Sequence, residues 1–155
     1  LVLKLSFFGL ICEVLRGFWL LIYNWMKKVL VIEDDEPLCW LLEKILTGKY
    51  DPIIMRNGLE ALSWLSDGNL PNLIISDIKM PTLDGIELLE NVRSSGILRD
   101  IPVIILSASD EPEQRRRCLD LGASNYLIKP FEPKLLIEEI ENTFKRLENP
   151  LSIDR

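Results

Sequence analysis

Four short, mostly apolar runs in this chain each stop at a side chain capable of chemistry. Val29-Leu30-Val31-Ile32 stops at Glu33-Asp34-Asp35, and Leu73-Ile74-Ile75-Ser76 at Asp77. Val103-Ile104-Ile105-Leu106 stops at Ser107, and Tyr126-Leu127-Ile128 at Lys129-Pro130. If the runs are parallel strands, their carboxyl ends converge on one crevice holding several carboxylates, a hydroxyl and an ammonium. Carboxylates crowded together repel and raise one another's pKa values, a penalty that a divalent cation removes. An all-oxygen site with few protein ligands suits Mg²⁺, which keeps some of its waters and bridges readily to phosphate.

What is missing narrows the chemistry further. The chain has no histidine, so no Ser-His-Asp or Cys-His nucleophile pair, no His-ligated zinc and no phosphohistidine can form on it. Proton transfer near neutral pH falls to carboxylates, Lys, Tyr or Cys. Cys12, Cys39 and Cys118 are odd in number and widely spaced, which reads as free thiols of a reducing compartment and predicts a cytoplasmic location. No G-x-G-x-x-G follows the first run and no G-x-x-x-x-G-K-[ST] occurs, which removes dinucleotide and P-loop sites.

The elements that position these residues alternate. Apolar runs at 29–32, 52–55, 73–76, 103–106 and 126–128 read as buried parallel strands. Between and after them come helical patterns. Pro37 sits in the first turn of a helix with Leu38, Leu41, Leu42, Ile45 and Leu46, ended by Gly48. Asn57-Gly58 precedes Leu59, Leu62 and Leu65; Ile86, Leu89 and Val92 mark a third helix. Pro112 opens a fourth that closes at Gly122, and Pro133 a fifth carrying Leu136, Ile140, Phe144 and Leu147. Ser107-Ala108-Ser109-Asp110 reads as cap chemistry for the fourth, with Ser109 or Asp110 as N-cap. Five βα units in about 120 residues predict an α/β, doubly wound parallel sheet with helices on both faces.

Size and charge agree with one such domain. The chain has 155 residues, 48% of them hydrophobic, with a net charge of −6. The acidic balance argues against direct binding of nucleic acid, and Arg115-Arg116-Arg117 reads as a solvated helix face.

The motifs, taken in order, resemble the receiver domain of two-component response regulators. The matching pieces are Val29 to Pro37, Leu73 to Pro81, Leu83-Asp84-Gly85, Pro102 to Ala108, Gly122-Ala123 and Tyr126 to Phe131. The resemblance implies a flavodoxin-like fold with strand order 2-1-3-4-5 over residues 26–148. It implies that Asp77 accepts a phosphoryl group and that Mg²⁺ is held by Glu33, Asp34, Asp77 and the backbone carbonyl of Lys79. Of the three acids at 33–35, Asp34 is then the direct ligand and Glu33 acts mostly through water. Ser107 and Lys129 contact the phosphoryl group, Ser107 and Tyr126 form the switch, and Lys129-Pro130 is a cis peptide. The implied partners are a sensor histidine kinase or phosphotransfer protein and a protein output target. The implied chemistry is self-phosphorylation and self-dephosphorylation, without turnover of another substrate. A Mg²⁺-dependent Asp-nucleophile phosphatase is the rival reading; that chemistry wants a second Asp two positions on, where this chain has Lys79. A receiver-like scaffold that is never phosphorylated is a further alternative, which the intact set Asp77, Ser107 and Lys129 disfavours.

Two end segments stand apart. Residues 1–25 are strongly apolar and aromatic, with Lys4, Glu13 and Arg16 as the charges. Leu5 to Trp25 as a helix would span about 31 Å, enough for a bilayer core. Glu13 and Arg16 in its middle each cost about 2.5–3.5 kcal/mol on insertion, which nearly cancels the return from its apolar residues. The segment is read as non-native or dispensable, with a membrane anchor as the alternative. The tail at 149–155 is read as too short for an output domain.

Overall fold

The computed structural model describes residues 26–149. The expectations for residues 1–25 and for the tail beyond Asn149 lie outside them. The strands are β1 (Lys28–Ile32), β2 (Asp51–Met55), β3 (Leu73–Asp77), β4 (Val103–Ser107) and β5 (Asn125–Ile128). The helices are α1 (Glu36–Leu46), α2 (Gly58–Ser66), α3 (Gly85–Ser94), α4 (Pro112–Asp120) and α5 (Pro133–Glu148). All strands pair in parallel in the order β2-β1-β3-β4-β5, the doubly wound arrangement that the βα alternation predicts.

The sheet is buried on both faces, so its strands are apolar throughout and the two faces are sorted by the period of two. Leu30, Ile32, Ile74, Val103 and Ile105 face α2, α3 and α4, packing with Ala61, Leu65, Leu88, Leu89, Val92 and Cys118. Val29, Val31, Leu73, Ile75, Ile104 and Leu106 face α1 and α5, packing with Leu42, Leu46, Leu136, Ile140 and Phe144. Burying each large aliphatic side chain is worth about 1.5–3 kcal/mol, and this is the main reason the strand ends stay where they are.

Register then places the chemistry. Ile32 stands opposite Ser76 and Asp77 opposite Leu106, while Ser107 stands opposite Ile128. The ladder runs one step past the strand ends: Glu33 N–H donates to Met55 O (3.1 Å), Ile78 N–H to Leu106 O (3.2 Å) and Lys129 N–H to Ser107 O (2.7 Å). Glu33, Asp77, Ser107 and Lys129 are thereby fixed by backbone bonds along one edge of the fold.

Helix starts differ in how they are capped. Asp35 caps α1, its carboxylate accepting from Leu38 N–H at 2.8 Å, and Glu36 lies in the first turn. Asp84 and Glu87 form a reciprocal capping box on α3. α4 does not follow expectation: its N-cap is Glu111, with no side-chain bond to the helix, and Ser109 Oγ instead accepts from Glu111 N–H at 3.2 Å. The hydroxyl closes a turn before the helix because the extended Glu111 puts Pro112 at the first helical position, as expected, and so leaves Ser109 and Asp110 ahead of the cap. Cys118 is the buried residue of α4, so this helix is the most lightly seated of the five.

Candidate functional site: a carboxylate cluster with a lysine

Glu33, Asp34 and Asp77 each offer a carboxylate oxygen, and the three oxygens lie within 4.8 Å of one another. Glu33 is 1% exposed and Asp77 7%, whereas Asp34 is exposed. Lys129 Nζ bridges the buried pair, 2.6 Å from Glu33 Oε2 and 3.0 Å from Asp77 Oδ2. The remaining oxygens have backbone partners: Ile78 N–H donates to Asp77 Oδ1 (2.7 Å) and Asp35 N–H to Glu33 Oε1 (3.2 Å).

The electrostatics follow from this packing. Burial pushes the Glu33 carboxyl above the ordinary carboxylate range, against the pull of the Lys129 hydrogen bond and charge. For Lys129 burial acts downward, but its hydrogen bonds to the Glu33 and Asp77 carboxylates outweigh it and hold the ammonium above its usual value. The lysine is therefore cationic and committed to the pocket, a single cation set between two buried carboxyl groups.

The donor set fits Mg²⁺. It is all oxygen, one carboxylate faces solvent, and the buried like charges have only one cation between them. Asp35, the third acid of the run, is the α1 cap and is not in the cluster. Lys79 is exposed on the loop after β3.

Ser107 lies at the end of β4, 1% exposed. Its Oγ accepts from Ser109 N–H (3.1 Å) and donates to Gln114 Oε1 (3.2 Å). Tyr126 is 2% exposed, and its hydroxyl lies 2.9 Å from Ser109 O and 3.1 Å from Gln114 Oε1. The expected Ser107–Tyr126 pair is thus adjacent and linked through a residue that the sequence reading left out. The Lys129-Pro130 bond is cis, as expected.

Gly85 was quoted above only as part of a motif. Its N–H donates to Ile78 O at 2.9 Å, and a Cβ built on it would fall 2.1 Å from the Asp77 carbonyl oxygen. The Leu83-Asp84-Gly85 turn is pressed directly onto the backbone that carries Asp77. Only the Asp-Gly pair before an apolar helix pointed to it, and that reads equally as a helix start.

Comparison with known proteins converges with this geometry. Residues 29–141 match the family model described as the response regulator receiver domain. The phosphate regulon transcriptional regulatory protein PhoB of Escherichia coli is 32% identical over 132 residues, covering 83% of this chain and 56% of PhoB. The alkaline phosphatase synthesis transcriptional regulatory protein PhoP of Bacillus subtilis is 35% identical over 123 residues, 79% of this chain and 50% of PhoP. The chain spans about half the length of these relatives. Among solved structures, the receiver domain of the Francisella response regulator 1452 superposes with a TM-score of 0.72 at 36% identity, covering 78% of this chain and 98% of that one. Vibrio cholerae CheY4 does so with a TM-score of 0.71 at 28% identity, covering 76% and 98%. With its strand order, its acidic strand ends and the family model across residues 29–141, the chain belongs to the receiver domains of two-component response regulators.

Proposed function

We propose that the chain is a phosphorylation-controlled switch in which Asp77 takes a phosphoryl group from a phosphohistidine of a sensor kinase or phosphotransfer protein. The observation that carries this reading is the Asp77 carboxylate held between Lys129 and the Glu33-Asp34 pair. The Asp77 oxygen attacks phosphorus, the P–N bond breaks, and its electron pair stays on the donor's imidazole nitrogen, which then takes up a proton. A carboxylate is an adequate nucleophile towards so reactive a phosphoramidate. With no histidine in the chain, the phosphohistidine lies outside these residues.

Glu33, Asp34 and Asp77, with the Lys79 carbonyl, would hold Mg²⁺, which when bound offsets charge on the phosphoryl oxygens. Lys129 releases Asp77 to the acyl bond and pairs with a phosphoryl oxygen while keeping Glu33. Ser107 hydrogen-bonds another. The chemistry is confined to loading and unloading Asp77, and output is by docking to a protein partner. Among the described residues no helix is long and apolar enough to cross a membrane; a tether through residues 1–25 would be an addition to this switch.

The test is intact mass after incubation with acetyl phosphate. One phosphoryl group should be gained with Mg²⁺, and none in EDTA or in Asp77→Asn. A gain that survives either change contradicts the reading.

A further inference from the structure

Gln114 stands in the first turn of α4, half-buried, with its amide oxygen directed inward. That single oxygen accepts from Ser107 Oγ at 3.2 Å and lies 3.1 Å from Tyr126 Oη, whose one proton it shares with Ser109 O at 2.9 Å. Ser107 has one proton to donate. While it goes to Gln114 it cannot go to a phosphoryl oxygen on Asp77. The helix that carries Gln114 has no side-chain cap and Cys118 as its buried residue, and the shared acceptor ties its first turn to the Ser107 and Tyr126 hydroxyls.

We infer that Gln114 is a positioning residue for phosphoryl capture: its amide oxygen holds the Ser107 proton away from Asp77 and gives it up when a phosphoryl group arrives. The same release leaves Gln114 Oε1 to the Tyr126 hydroxyl, which it shares with Ser109 O, and loosens the start of α4. This rests on the functional reading above and adds to it a residue, a competing acceptor and a direction of effect.

The direction makes it testable. Gln114→Leu keeps the bulk and removes the acceptor, so Ser107 is free beforehand and phosphorylation by acetyl phosphate in Mg²⁺ should quicken about threefold or more, the worth of one ordinary hydrogen bond. Gln114→Glu supplies a charged acceptor, which binds a hydroxyl more tightly, and should slow it by about the same factor. A purely structural role would push both variants the same way. In a Ser107→Ala background both effects should vanish, because there is no proton left to compete for. If Gln114→Leu fails to melt cooperatively, Gln114→Asn, one methylene too short to reach both hydroxyls, takes its place with the same expected sign. The rates are read on the full chain by intact mass. Equal rates in all variants, shifts of one sign, or shifts that persist without Ser107 overturn the inference while leaving Asp77 phosphorylation standing. No mass gain in the unsubstituted chain overturns both.

Discussion

The Cα of Gly85 approaches Asp77 so closely that a methyl group there would overlap the aspartate's carbonyl oxygen, at 2.1 Å. The α3 start is thus built onto the backbone that carries the Asp77 carboxylate. Gly85→Ala should cost about 1–3 kcal/mol in urea unfolding, the range for overpacking a fixed site, and should slow phosphorylation with it. Gly96→Ala, where no atom lies within 4 Å of the added carbon, is the matched control and should change neither. Equal midpoints for the two variants would contradict the account.

Lys129 is the charge partner of a buried acid. Lys129→Met leaves Glu33 with no cation, which should cost about 3 kcal/mol at pH 7. Burial already raises the Glu33 carboxyl, and loss of the lysine raises it further. A raised folded-state value means the folded protein binds the proton more tightly. The variant should therefore be least destabilised near pH 4 and lose stability as pH rises through the Glu33 titration. Urea midpoints from pH 4 to 7 measure this, and a loss independent of pH would refute it.

Tyr126 offers a spectroscopic reading of its burial. Its phenol is pushed above the ordinary value, chiefly by burial. The neutral form is the one the fold holds, so the associated stability is fully present below pH about 10 and is lost as pH rises through the folded-state titration. Absorbance titration should show a late-ionising phenol in the parent that Tyr126→Phe removes. Tyr50 is raised by burial as well and should remain. A Tyr126→Phe titration identical to the parent's would contradict the placement.

Arg93 clamps the opposite end of the sheet. Its guanidinium donates to Gly122 O twice (3.1 and 2.8 Å), and to Arg99 O and Ile101 O (both 2.9 Å). Gly122, at φ +94, presents its carbonyl to that fork. Arg93→Ala should cost about 2 kcal/mol and speed hydrogen exchange at Ile101 and Gly122. Arg93→Lys should rescue little, since one ammonium cannot reproduce the planar fork. Full rescue by lysine would show that charge alone matters there.

The sequence carried the frame of this protein further than its connections. The runs at 29–32, 73–76, 103–106 and 126–128 marked the strands and the residues at their ends, because burial on both faces demands unbroken apolar runs that are easily seen; the strand order came from the resemblance. Strand ends came out one residue short at Lys28, Asp51, Asp77, Ser107 and Asn125, where a polar or Pro-adjacent residue joins the ladder through its backbone. Asp35 was ambiguous among three acids, since a helix cap and a metal ligand ask for the same side chain, and only the Asp35–Leu38 bond separates them. Gln114 left no trace: a polar residue in a polar helix looks solvated until the fold brings two hydroxyls to it. Arg93 was invisible for a related reason, as its partners are backbone carbonyls with no sequence signature.

The central claim is that, of all the carboxylates in the chain, Asp77 carries the phosphoryl group. Borohydride reduces an acyl phosphate of aspartate to homoserine, which marks the residue permanently. After phosphorylation with acetyl phosphate and Mg²⁺, followed by tritiated borohydride and peptide mapping, the label should appear as homoserine at position 77 and be absent when EDTA is present throughout. Label at Glu33, Asp34 or Asp84, or a phosphorylated chain with none at position 77, would contradict the account.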